Sequence, residues 1–274
     1  MSVKSDILRQ QRDWATQVGL VHDDRGYLDS YENNLFQPLN PKSKQAFVQG
    51  SGSELRDRPT GPAKMRALHS SSALAVNFFD FWVNKDTDPL KDIFSLQSKP
   101  CSIVFEGQYP TGLPGNPPNL DVVFELQNGT IVGIESKFTE WLTPKSKNKP
   151  AFKEKLFSSD IGIWERVGLP ETQRFAVEIQ SRKIEFRYLD APQLMKHALG
   201  LATHCRQKFQ LLYVYFEGSE REAEGHQKEI AVFKERLKSE LGFDAFSYQE
   251  LIIRLESIIG TPEPYLEYLR TRYA

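Results

Sequence analysis

The chain reads as an α/β fold, a mixed sheet that contains an antiparallel hairpin and is flanked by helices on both faces. Three observations predict it. Three apolar, strand-like stretches follow one another, "CSIVFE" at 101–106, "LDVVFEL" at 120–126 and "TIVGIESKF" at 130–138. Helical patterns precede and follow them, and a further buried strand, "FQLLYVYFE" at 209–217, comes after the second helix. No G-x-G-x-x-G and no P-loop pattern occurs, so nucleotide-cofactor and P-loop folds have no support. The order helix, three strands, helix, strand, helix is a sheet sandwiched by helices rather than a Rossmann arrangement.

Each element has its own local signal. Residues 5–18 can form an amphipathic helix with Ile7, Leu8, Trp14 and Val18 inward. The next forty or so residues are rich in turn formers and predict loops with at most one short helix, so 1–63 reads as a wrapping segment. Met65, Leu68, Ser72, Ala75, Val76, Phe79, Trp82 and Val83 fall at three- and four-residue spacing, which predicts a helix over 65–83 packed on the sheet. The stretch "GQYPTGLPGNPPN" between the first two strands can only be a loop. A helical insertion with a basic start fills about 139–189. At Asp190 a helix is well signalled, with Asp190 as N-cap, Pro192 in the first turn and Gln193 at the capping-box position; Leu194, Ala198, Leu201 and Cys205 face inward. A long charged helix near 219–241 and a last helix beginning near Pro262 lie in an extension over 218–274. The expectation is a single domain whose core spans 64–217.

At 274 residues, 39% hydrophobic and 26% charged, the composition suits a soluble globular protein with a substantial core. The formal net charge of −1 gives no global basic field, so any nucleic-acid partner must be met by a local patch. Cys101 and Cys205 are the only cysteines and form no CxxC pair, which argues against a disulfide scaffold. The amino terminus lacks the apolar core of a signal peptide, and no apolar run approaches the roughly 18 residues that span a bilayer. A cytoplasmic protein with no membrane partner is expected.

The chemistry concentrates in "NLDVVFELQNGTIVGIESKFTEW", residues 119–141, where Asp121, Glu135 and Lys137 interrupt apolar strands. Burying such charges costs several kcal/mol unless they are paired or metal-bound. Strand alternation puts Glu135 and Lys137 on one face and Ser136 on the other. Asp121 joins them only if the turn is right. With a two-residue loop at Asn128-Gly129, Asp121 would lie opposite Ser136. With the three-residue loop Gln127-Asn128-Gly129, Leu126 pairs with Thr130 and Asp121 lies opposite Glu135, and Gly129 supplies the left-handed residue that such a loop ends on. The three-residue loop is the expectation here. Two carboxylates so placed repel unless a cation intervenes, and an oxygen-lined pair suits Mg²⁺, with Lys137 able to stabilise charge on a phosphate. The competing reading is an ordinary ion pair on an edge strand, worth under about 1 kcal/mol.

These residues resemble the PD-(D/E)XK nuclease superfamily, the fold of many restriction endonucleases: Asp121 on one strand, then Glu135-Ser136-Lys137 on the next. "LHSSSALAVNFF", "PPNLDVVFE" and "QLMKHALGLA" are similar to a group of bacterial restriction-endonuclease-like proteins. The resemblance implies a restriction-endonuclease-like core, Mg²⁺ (or Mn²⁺) held by Asp121, Glu135 and the main-chain carbonyl of Ser136, and a catalytic Lys137. It implies a DNA endonuclease, with RNA as an open alternative substrate and a homodimer as the family-level analogy. A non-catalytic nucleic-acid-binding or assembly module on the same fold is the alternative function. The residue before Asp121 is Leu120, with prolines only at 117 and 118, and residues 65–83 hold no glutamate to complete the site. Glu54 and Glu106 are the candidate replacements.

Five further sets are weighed against plain structural roles. Gln193 is a capping-box residue or a site neighbour, and His197, one turn along the same face, is a core histidine or a site residue. Lys145, Lys147 and Lys149 are a solvated run or phosphate contacts. His69 with Ser70–Ser72 has no locatable acid partner for a triad, and His197, His204 and Cys205 lack zinc spacing.

Overall fold

The computed structural model describes residues 3–50, 52–59, 61–143, 150–157, 161–206, 208–218 and 221–274. Among these, helices α1 (Val3–Gln17), α2 (Pro41–Gln49), α3 (Ser71–Phe79) and α4 (Asp88–Ile93) precede strands β1 (Pro100–Gln108), β2 (Asn119–Leu126) and β3 (Ile131–Lys137). Helices α5 (Ile163–Arg166), α6 (Pro170–Gln180) and α7 (Ala191–Cys205) follow. Strand β4 (Phe209–Tyr215), helix α8 (Arg221–Leu241), strand β5 (Asp244–Ser247) and helices α9 (Tyr248–Glu256) and α10 (Glu263–Tyr273) complete the order. The five strands form one sheet in the order β1-β2-β3-β4-β5. β1, β2 and β3 pair antiparallel, whereas β4 and β5 add on in parallel, so the sheet is mixed.

Two cores sandwich this sheet. One face sets Val122, Phe124, Val132, Ile134 and Val214 against α3, α4, α9 and α10. The other sets Val123, Leu211 and Tyr213 against α5, α6, α7 and α8. No described helix is long and apolar enough to cross a membrane.

The helix predicted over 65–83 is shorter than its apolar spacing suggested. Only Ser71–Phe79 is α-helical, with 3-10 turns at Lys64–Arg66 and Asp80–Trp82. Ser70 accepts from the Ala73 N–H and starts the helix there, and burial runs through every residue from Ala73 to Phe79 rather than along one stripe. The three- and four-residue spacing therefore reflected a segment buried all round. Val18, predicted inward, lies past the end of α1 and is 54% exposed. At Asp190 the local signal matches the structure: its carboxylate accepts from the Gln193 N–H at 3.0 Å.

The hairpin register is the feature that positions the site. Val122 pairs with Ile134 and Phe124 with Val132, and the Leu126 N–H donates to the Thr130 carbonyl at 2.9 Å. The loop is therefore Gln127-Asn128-Gly129, with Gly129 at φ +80° and its N–H bonded back to the Leu126 carbonyl. A side chain at that φ is strained although open space surrounds it. Gly129→Ala is expected to cost about 1 kcal/mol, read as a lowered urea midpoint with an unchanged slope.

Candidate active site

The site forms where β2 and β3 part. Their ladder ends at Val122–Ile134, and one step further the same register sets Asp121 opposite Glu135. There the Asp121 side chain takes over from the backbone, because its Oδ2 accepts the Ser136 N–H at 2.7 Å. Ser136 points to the other face, where its hydroxyl meets Tyr248 Oη of α9 at 2.7 Å. β3 is the middle strand, hydrogen-bonded to β2 on one side and β4 on the other, so an edge-strand ion pair does not describe Glu135 and Lys137.

Glu135 is 1% exposed and held from two sides. Lys137 Nζ contacts its Oε1, and His197 Nε2 lies 2.9 Å from its Oε2. Each buried carboxylate oxygen of Glu135 thus has one partner, Lys137 on Oε1 and His197 on Oε2. His197 reaches this point because of Gly133. A Cβ there would stand 2.9 Å from Leu201 Cδ1, so glycine lets α7 close onto β3. The step from Leu201 back to His197, one helical turn of about 6 Å, matches the two-residue step of about 6.6 Å from Gly133 to Glu135.

The charges are strongly unequal. Burial opposes ionisation of Glu135, but Lys137 and His197 outweigh it and hold its pKa far below the usual carboxylate range. Burial and the facing Glu135 push Asp121 the other way, well above that range, against the weaker pull of Lys137 and the Ser136 N–H. Burial also disfavours the Lys137 ammonium, yet Glu135 and Asp121 together hold its pKa above the ordinary lysine value.

A cleft of about 580 Å³ opens beside Asp121, and Glu54, Glu106, Lys4, Lys64, His69 and Glu140 share its walls. Glu54 and Glu106 thus both face it. Glu54 is fixed by Lys64 (2.9 Å) and by the Ser72 hydroxyl (2.7 Å). Glu106 lies opposite Asp121 by the β1–β2 register, sits at φ +54°, and accepts from Asn119 Nδ2 at 2.6 Å. Burial raises the Glu106 pKa, with Glu54 and Glu135 adding to the effect and Asn119 and Lys64 opposing it. Gln193 lies in the first turn of α7, one turn before His197, where its backbone N–H donates to the Asp190 carboxylate at 3.0 Å. Lys145, Lys147 and Lys149 lie outside the described residues.

The triad and zinc readings find no geometry. The Ser70 and Ser72 hydroxyls are committed to the Ala73 N–H and to Glu54, and His204 Nε2 lies 2.9 Å from the Pro110 carbonyl, away from His197. Among the described residues no three His, Cys, Asp or Glu side chains gather closely enough to cage a metal by themselves. A hard cation needs less. Mg²⁺ takes one or two carboxylates and fills its shell with other oxygens and water, and the Glu135 and Asp121 carboxylates, set opposite each other by the register, suit that donor set. Missed from sequence were the supports: Ser72 and Lys64 behind Glu54, Asn119 behind Glu106, and Gly133 beneath α7. Gly133, a glycine inside an apolar strand, was a usable signal of close packing.

The family described as "Restriction Endonuclease associating with ARP" matches residues 8–274. No curated protein and no solved structure matches the chain.

Proposed function

We propose that this chain, which belongs to the family described as Restriction Endonuclease associating with ARP, is a metal-dependent nuclease that hydrolyses phosphodiester bonds in DNA. The observation that carries the reading is the facing pair Asp121 and Glu135, with Lys137 on the Glu135 carboxylate and Asp121 in the wall of an acidic cleft. Asp121, Glu135 and the Ser136 main-chain carbonyl would hold Mg²⁺ or Mn²⁺. Such a cation supplies charge neutralisation and activates water at neutral pH. The chain's own residues do the rest. Lys137 brings a positive charge to the phosphate, and the oxyanion-type stabilisation it offers is strengthened by its partly buried setting. Glu54 and Glu106 extend the carboxylate wall on which the attacked phosphate and its water are oriented. A homodimer would supply the two sites that cutting both strands calls for.

The test is cleavage of plasmid and oligonucleotide DNA, with RNA in parallel, by purified protein. Nicking or cutting is expected with Mg²⁺ or Mn²⁺ and none in EDTA. Lys137→Ala is expected to lose roughly 10²–10³-fold in rate while keeping its circular dichroism spectrum. Equal cleavage by the variant would end the assignment. Salt-dependent DNA binding with no cleavage of any substrate would favour the non-catalytic module instead.

A further inference from the structure

We propose that Lys137 is the placeholder for the cation on Glu135: its ammonium occupies Oε1 until a divalent cation displaces it, while His197 keeps Oε2 in place. The inference rests on the metal-dependent reading above. A carboxylate as buried as Glu135 cannot stand alone, because an unpaired charge in that position costs several kcal/mol. Without a cation something must neutralise it, and Lys137 does so.

The two partners of Glu135 differ in what they are free to do. His197 is 1% exposed and rides on α7, which Leu201 presses against Gly133 with no space for a further carbon atom. It cannot withdraw without opening the core. Its Nε2 lies 2.9 Å from Glu135 Oε2, and its buried Nδ1 has no hydrogen-bond partner. Lys137 is the mobile member, on a four-carbon stem with its side chain 17% exposed. Asp121, which faces Glu135 across the β2–β3 register, lines the cleft, so the ion pair lies one strand step from it. The hold of Lys137 on Oε1 is an ion pair, the kind of contact that a doubly charged ion replaces. Displacement would free the ammonium for the phosphate at the moment the cation arrives. His197 is then a positioning residue, setting which oxygen of Glu135 is offered.

Calorimetric titration of the whole chain with Mn²⁺, in the absence of nucleic acid, tests this. Lys137→Met is expected to bind about tenfold tighter than the native protein, equivalent to about 1.4 kcal/mol. Lys64→Met, which removes a cleft lysine that pairs with Glu54 instead, is expected to change affinity less than about threefold. His197→Leu should weaken binding about 10–100-fold, and His197→Gln, which keeps a donor for Oε2, should recover most of it. Thermal melts of each variant confirm folding, with Lys137→Gln as the substitute if the methionine variant does not fold. Unchanged or weaker binding by Lys137→Met overturns the exchange. So do equal gains from both lysine variants, which would mean simple charge repulsion. Native protein that binds no Mn²⁺ at all overturns the metal-dependent reading itself, and this inference with it.

Discussion

Asp121→Asn is expected to abolish cleavage and, in the same variant, to raise the melting temperature of the metal-free protein. Burial and the facing Glu135 hold the Asp121 carboxyl well above its ordinary value in the fold, whereas the unfolded chain ionises near the ordinary aspartate value of 3.8. The folded state therefore binds this proton more tightly than the unfolded state does. Its contribution is neutral at pH below the unfolded value and becomes destabilising as pH rises from there through the raised folded value. Asparagine removes that cost and can still accept the Ser136 N–H through its Oδ1. In EDTA at neutral pH a gain on the order of 1 kcal/mol, or about 2–4 °C, is expected, shrinking toward zero as pH falls toward about 4. Cleavage with Mg²⁺ should fall by roughly 10²–10³-fold or more. A variant less stable than the native chain at neutral pH would refute the assigned charge state. The trade is a common one at sites where like charges are forced together.

The second large effect lies far from the cleft. Arg272→Leu is expected to cost roughly 3–5 kcal/mol, read from urea unfolding. Arg272 is fully buried in α10, and among the described residues no carboxylate forms a salt bridge with it. It donates instead to Gln11 Oε1 (3.1 Å), the Asn34 carbonyl (2.9 Å) and side chain, the Leu68 carbonyl (3.2 Å) and Tyr268 Oη (2.6 Å). Its guanidinium also lies 4.0 Å from the Trp14 ring centroid. Asn34 in turn donates to the Met65 and Ala67 carbonyls, and Asn77 of α3 donates to the Asn34 carbonyl and Tyr273 Oη. One side chain thus ties α1, the loop around Asn34 and α10 to the residues that lead into the cleft wall at Lys64–Ser72. Leucine matches the apolar stem but strands every acceptor, each costing about 1–3 kcal/mol if left buried and unbonded. A loss under about 1 kcal/mol would show that water replaces the guanidinium there.

How much of this was legible in the sequence follows from the range of each interaction. The hairpin was, because a turn is a local object. The left-handed residue of a three-residue loop wants glycine, Gly129 provides it, and strand alternation then carries the register eight residues back to Asp121. The start of α7 was legible for the same reason, since Asp190 and Gln193 are three residues apart. The helix over 65–83 was overextended because apolar spacing cannot separate a stripe from a segment buried on all sides, and Ser70 set the true start.

The sequence by itself determined the α/β class, the order of strands and helices around the hairpin, and the placing of Asp121 opposite Glu135. Periodicity, capping and turn chemistry act over a few residues and leave their mark there. The tertiary structure alone decided which distant groups close on that pair. Glu54 joins the cleft from a loop, Glu106 meets Asp121 across β1, and His197 lands on Glu135 because Gly133 lets α7 approach. It also decided that Arg272 is buried, satisfied by neutral acceptors rather than by a described carboxylate. Contacts of this kind are set by packing between elements far apart in the chain, and a residue's own neighbours in sequence carry no record of them.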